Sequence, residues 1–200
     1  YTVIMSKIIF LNPPLTHEER YGLKAKAGGW TPPLGLAYLS AVVRERGYDV
    51  KIIDAAALEL SPEEAARQAL STEPQYIGIT GATVAIHNAN LTAEWIKKIN
   101  PAVITIIGGA HLTALPKETM ETFPAFDIAV VGEGEITIIE LLGALESGKQ
   151  LSEVKGILFR VGGIIHQTDK RPFIKNLDTL PVPAWDLLPV MCDETERLQS

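Results

Sequence analysis

Four short stretches of the chain carry residue types suited to holding a ligand. They are Asn12-Pro13-Pro14, Thr80-Gly81-Ala82-Thr83, Gly108-Gly109 with His111-Leu112-Thr113 just beyond, and Gly132-Glu133-Gly134-Glu135. Glycine at the end of an apolar run lets a ligand approach the backbone, although a tight turn asks for glycine equally. The threonine hydroxyls offer donors and acceptors. Glu133 and Glu135 precede a helical pattern, where a carboxylate also favours the helix dipole. Together these loops describe a broad shelf of small residues, which suits a large flat ligand better than a narrow pocket would.

Several familiar chemistries are missing from these positions. A dinucleotide fold carries G-x-G-x-x-G after its first strand, where this chain has Asn12-Pro13-Pro14. No Gly-Lys-Ser/Thr phosphate loop is present. A receiver-type site needs acidic residues after the first strand and an aspartate ending the third; Asn12 and Thr80 stand there instead. His17, His87, His111 and His166 are scattered, with no Cys or acidic partners at metal-ligand spacing. Only His111 falls beside the glycine-bearing loops. No Ser-His-Asp arrangement can be argued from spacing.

The shelf requires strands and helices to position it. Residues 8–11 are an apolar run stopped by Pro13 and Pro14. A polar, glycine-containing loop follows, and Pro33 stands where a helix can begin. Leu36, Leu39, Val42 and Val43 give that helix an apolar face, and Gly47 ends it. Residues 50–53 form a second strand, and Ser61-Pro62-Glu63-Glu64 is a capping box. After a third strand at residues 76–80, Ile86, Ala89, Ala93 and Ile96 recur at helical spacing. Residues 103–107 and 127–131 are the fourth and fifth strands, with a short helix opened by Pro116 between them. Ile136, Ile139, Leu142 and Leu145 share a face of the last helix, which Gly148 terminates. Non-alternating apolar strands separated by helices predict an α/β fold with a doubly wound, five-stranded parallel sheet in flavodoxin-like order. The candidate loops then gather at the carboxyl edge, where ligands bind in such folds.

Beyond residue 150 the pattern changes. Residues 157–160 and 164–166 flank Gly162-Gly163 as a β-hairpin, and Pro172, Pro181, Pro183 and Pro189 punctuate an extended tail. Residues 5–150 therefore read as the ligand-binding unit, and 151–200 as a hairpin and proline-rich linker. A hydrophobic content of 46% is enough for one substantial core. The net charge of −6, with no cluster of Lys and Arg beyond such small groups as Lys24 and Lys26, argues against a nucleic-acid partner. Apolar runs are strand-sized, so no membrane span is expected. No signal peptide is expected, Met5 reads as the natural start, and the single cysteine, Cys192, fits a cytoplasmic protein.

Three stretches resemble the amino-terminal cobalamin-binding domain of cobalamin-dependent radical S-adenosylmethionine enzymes, the class of anaerobic magnesium-protoporphyrin cyclase and many methyltransferases. They are Thr31-Pro32-Pro33-Leu34-Gly35-Leu36-Ala37-Tyr38-Leu39, Ile107-Gly108-Gly109-Ala110-His111-Leu112-Thr113 and Val131-Gly132-Glu133-Gly134-Glu135. The tail Leu180-Pro181-Val182-Pro183-Ala184-Trp185-Asp186-Leu187-Leu188-Pro189 is similar to that family's connector into the radical domain. The resemblance spans residues 7–189. It implies a corrin ring over the loops at 80–83, 108–113 and 132–135, with Asn12, Pro13 and Pro14 beside it. The dimethylbenzimidazole tail would insert along the sheet past Gly108 and Gly109, with Thr80 and Thr83 as hydrogen-bonding groups.

Two departures shape what the resemblance implies. A radical domain holds its [4Fe-4S] cluster on a C-x-x-x-C-x-x-C motif, and three thiolates are beyond a chain whose only cysteine is Cys192. The chain then reads as a piece of a larger enzyme, not catalytic alone, with the cluster and S-adenosylmethionine carried by a radical domain in cis. Leu15-Thr16-His17-Glu18-Glu19-Arg20 also departs from the D-x-H-x-x-G of methionine-synthase-type proteins, so no cobalt ligand is assigned to His17. Two other readings stay open. One is a domain of this family that has lost cobalamin and serves substrate recognition or structure. The other is a flavodoxin-like flavin- or nucleotide-binding protein using the same edge.

Overall fold

The computed structural model describes residues 6–22 and 31–189; Met5, Lys24, Lys26 and Cys192 lie outside them. Strands β1 (Lys7–Asn12), β2 (Asp49–Asp54), β3 (Tyr76–Thr80), β4 (Ile104–Gly108) and β5 (Ile128–Val130) pair in parallel in the order β2-β1-β3-β4-β5. The sheet does not stop at the expected five strands. β6 (Ile157–Val161) pairs antiparallel with β5, and β7 (Ile164–Gln167) pairs antiparallel with β6, so the sheet has seven. The physical reason is that β5 would otherwise be a bare edge, and the apolar side chains of Ile157 and Leu158 are buried by covering it.

Helices pack on both faces. α2 (Leu34–Glu45) and α7 (Glu135–Ser147) cover one face, where Phe10, Ile106, Ile128 and Val130 meet Leu36, Val43, Ile138 and Leu141. α3 (Pro62–Leu70) and α4 (Ile86–Ile99) lie on the other, with α5 (Ala110–Ala114) and α6 (Pro116–Thr122) beside them. The capping box at Ser61 and Glu64 forms with both of its hydrogen bonds, and all four expected core positions of α4 are buried. In α7 the buried stripe falls on Ile138, Leu141 and Leu142, whereas Ile136 is 41% exposed. The helix is apolar nearly all round, so periodicity alone placed its inner face poorly.

Two short helices interrupt segments expected to be loops. α1 (His17–Tyr21) starts at a capping box in which Thr16 and Glu19 satisfy each other's backbone N–H groups. α5 follows Gly109 directly. The proline-rich tail, expected to be an extended linker, runs over the backs of α2 and α7. Ala184 is fully buried, its N–H donates to the Ala37 carbonyl at 3.1 Å, and Leu180 and Leu187 pack on the core of that face. Proline limits regular structure there to two short 3-10 helices, Leu177–Thr179 and Trp185–Leu187, but the recurring small and apolar side chains still seek burial.

Candidate functional site

The carboxyl edge opens into a cavity of about 430 Å³ that runs from the loops down between the sheet and the pair α2–α7. Its floor is one row of the sheet: Phe10 of β1 stands opposite Gly78 of β3, which stands opposite Ile106 of β4. Leu36 and Leu39 from α2 and Ile138 from α7 form the outer wall. Gly78 is what makes the floor continuous. A Cβ there would come within 2.8 Å of the Phe10 ring, so the ring can lie flat across the strand only because residue 78 has no side chain.

Of the residues expected from the sequence, Asn12, Pro13, Thr80, Ala82, Gly108, Gly109, Gly132, Glu133, Gly134 and Glu135 line this cavity. Pro14, Gly81, Thr83, His111, Leu112 and Thr113 do not. Leu112 is fully buried in the opposite core. The Pro14 carbonyl accepts a hydrogen bond from Asn88 of α4 at 3.0 Å. The remaining residues lace the loops to one another. The His111 N–H donates to the Gly81 carbonyl at 3.1 Å, and its Nδ1 lies 3.2 Å from the Thr83 hydroxyl. The Thr113 hydroxyl donates to the Gly109 carbonyl at 2.9 Å and accepts from the Gly132 N–H at 3.1 Å.

The two adjacent glycines have different duties. A Cβ on Gly108 would meet nothing nearer than the Val130 carbonyl at 3.9 Å, so a side chain at this position would project into the cavity. Gly109 has φ 105°, and a Cβ there would lie 2.8 Å from both the nitrogen and the oxygen of Gly81. Its missing side chain is needed for the β3 and β4 loops to touch. Gly35, at the start of α2, resembles Gly108: it lines the cavity, and a Cβ on it would meet nothing within 4 Å.

Charged and polar groups are few and placed at the rim. Glu133 is held by the tail, its Oε2 accepting the Ile174 N–H at 2.6 Å. Glu135 opens α7, and its Oε2 is buried without a hydrogen-bond partner among the described residues. A buried carboxylate oxygen with no donor is costly and is met when a ligand supplies one. The Thr80 hydroxyl also faces the cavity with no hydrogen bond to a described residue. Asn12, by contrast, gives its amide N–H to Asp54 at 2.7 Å, which ties the β1 and β2 ends together. Among the described residues, Arg20 of α1 is the cation that lines the mouth. No cluster of His, Cys, Asp and Glu able to hold a metal ion occurs among the described residues, and no helix among them is long and apolar enough to cross a membrane.

The lining residues missed in the sequence include Phe10, Gly35, Leu36, Leu39, Gly78, Ile106, Val130 and Ile138 around the floor and walls, and others such as Leu15, Arg20, Thr31 and Val84. Gly78 was readable, since a glycine inside an apolar strand signals close approach of another group. The aliphatic wall residues looked like ordinary core.

Comparison with known proteins shows the family to which this fold and slot belong. The chain is 39% identical to an uncharacterized methyltransferase of Pyrococcus horikoshii over 92% of this chain and 39% of that one. It is 30% identical to the anaerobic magnesium-protoporphyrin IX monomethyl ester cyclase of Rubrivivax gelatinosus over 91% of this chain and 33% of that protein. It thus spans well under half of either relative. Its fold matches that of the cobalamin-dependent S-adenosylmethionine radical enzyme OxsB, solved with aqua-cobalamin and S-adenosylmethionine bound. That match has a TM-score of 0.71 at 20% identity and covers 92% of this chain and 24% of that one. The methyltransferase TsrM of Kitasatospora setae, solved with cobalamin and a [4Fe-4S] cluster, matches with a TM-score of 0.68 at 17% identity over 90% of this chain and 31% of that one. The model of the B12 binding domain matches residues 21–142, more than half the chain, and the protein belongs to that family.

Proposed function

We propose that this chain is the cobalamin-holding domain of a radical S-adenosylmethionine enzyme acting in methyl transfer, and that it is not catalytic alone. The observation that carries the reading is the slot itself. Its roughly 430 Å³ suits a nucleoside-sized group and is too small for a whole corrinoid. The dimethylbenzimidazole tail enters between the sheet and α2–α7, over Gly78 and past Gly35 and Gly108. The corrin ring rests outside, on the loops that follow β3, β4 and β5. The Glu135 carboxylate accepts a hydrogen bond from the ligand's amide or hydroxyl groups, and Thr80 serves as a second polar contact. His111 and Thr113 hold the loops in register without lining the slot.

Cobalamin, when bound, supplies a cobalt centre able to take up and release a methyl group. The protein's own part is to bind, orient and shield. The cluster and S-adenosylmethionine belong to a further domain in cis, with residues 151–200 on the path toward it.

The test is the absorption spectrum of the protein incubated with hydroxocobalamin and freed of excess ligand. Near-stoichiometric retained corrinoid supports the reading, and its loss in Gly108→Val locates the ligand in the slot. Gly108→Val should melt within about 3 °C of the parent, because its side chain enters open space. A folded parent that retains no corrinoid overturns the assignment and leaves a family member that has lost its ligand; copurifying yellow flavin would favour the flavodoxin-like alternative.

A further inference from the structure

The tail is attached to the slot's walls from behind. At α7, the Arg171 guanidinium donates to the Thr137 hydroxyl at 2.8 Å and pairs with Glu140, and the Ile174 N–H binds Glu133. At α2, the Ala184 N–H binds the Ala37 carbonyl, and Asp186 pairs with both terminal nitrogens of Arg44 at 2.7 and 3.2 Å. Each inner attachment lies on or beside a residue that lines the slot. Glu133 lines it directly, Thr137 precedes Ile138, and Ala37 follows Leu36. The two helices meet tightly at this level, since a Cβ on Gly134 would stand 3.0 Å from the Leu39 side chain. The segment 168–189 is therefore a strap across two helices whose opposite faces enclose the ligand space.

We propose that the strap and the slot are thermodynamically coupled: ligand in the slot tightens the strap, and a docked strap tightens the slot. Spreading α2 from α7 loosens both at once, because the same rim residue, Glu133, bounds the slot and holds Ile174. Coupling of this kind is reciprocal, so a change made at the strap alone must appear in ligand affinity. It rests on the reading of the slot as a corrinoid site. It adds a device by which chain continuing beyond residue 189 senses whether the slot is loaded.

Two measurements on this chain test it. Hydrogen exchange of peptides covering residues 170–188 should slow about fivefold on saturation with hydroxocobalamin. In Ala184→Glu, which puts a charge against α2 at a residue that does not itself line the slot, the dissociation constant for hydroxocobalamin should rise about fivefold or more. Arg44→Ala should shift it the same way by less, since an exposed ion pair contributes little. Unchanged far-ultraviolet circular dichroism of both strap variants, and unchanged melting of Arg44→Ala, keep a general folding defect out of the result. Corrinoid binding by the parent with no change in strap exchange, or equal affinity in Ala184→Glu, overturns the coupling and leaves the site assignment standing. A parent that binds no corrinoid overturns both.

Discussion

Gly109 presses its Cα against the backbone of Gly81, so close that a methyl group there would sit 2.8 Å from both the nitrogen and the oxygen of residue 81. The contact fixes the β3 and β4 loops side by side, and the Gly81 N–H completes it by donating to the Gly108 carbonyl at 2.8 Å. Gly109→Ala should therefore destabilise the protein by about 2 kcal/mol or more, from positive φ and steric clash together. Gly108→Ala, one residue earlier, should stay within about 0.5 kcal/mol of the parent. Urea denaturation of the two variants checks this, and equal losses would mean that the close approach is not what the glycine is for.

At the slot floor, Gly78→Ala forces the Phe10 ring to shift, and both residues lie in a closely packed row. The expected cost is about 1–3 kcal/mol from overpacking. Phe10→Val should recover part of it in the double variant, because a side chain that ends at Cγ lacks the Cδ1 and Cε1 atoms standing 2.8 and 3.0 Å from the new methyl. A double-mutant cycle by thermal melting measures the coupling, and strict additivity would show that the two groups do not meet.

Much of this architecture was legible in the sequence. Strands β1 to β5 could be read because buried parallel strands are uninterrupted apolar runs, and the Ser61 capping box fixes the start of α3 almost alone. The shelf loops were readable because glycine or threonine recurs after β3, β4 and β5. The joining of the hairpin to the sheet, and the slot, were not. Residues 157–167 signal a hairpin, but nothing local says that the hairpin's first strand will cover the edge of β5. Leu36, Leu39 and Ile138 line the slot with the same aliphatic chemistry that fills the core, and only the helix–sheet separation distinguishes them. His111 and Thr113 were expected to face ligand because they follow the paired glycines. The immediate turn into α5 aims them at neighbouring loops instead.

Acid should loosen the strap. The hydrogen bond from Arg44 holds the Asp186 carboxyl below its ordinary value. A group whose value is lowered on folding contributes stability above its unfolded value, and that contribution disappears as pH falls through the lowered one. Protection of the peptide around residue 186, measured as exchange relative to the intrinsic rate at each pH, should therefore fall below the usual aspartate range and stay flat from there to neutrality. Asp186→Asn should remove this pH dependence, and added salt should mimic it, because the pair is exposed. A loss of protection that persists unchanged in Asp186→Asn would place its origin elsewhere.

Thr113 offers the sharpest separation of loop alignment from ligand contact. Its hydroxyl links the Gly109 carbonyl to the Gly132 N–H, and it does not line the slot. Thr113→Val keeps the shape and deletes both hydrogen bonds, at an expected cost of about 1 kcal/mol given the exposure of the groups. Thr113→Ser keeps the hydroxyl and should behave like the parent. If the β4 and β5 loops must be in register to seat a ligand over both, Thr113→Val should weaken hydroxocobalamin binding about threefold beyond what Thr113→Ser does. Titration followed by absorbance measures it. Equal affinities in the two variants, with only the melting temperature lowered in Thr113→Val, would mean that the loops find their bound arrangement without this link and that Thr113 serves stability alone.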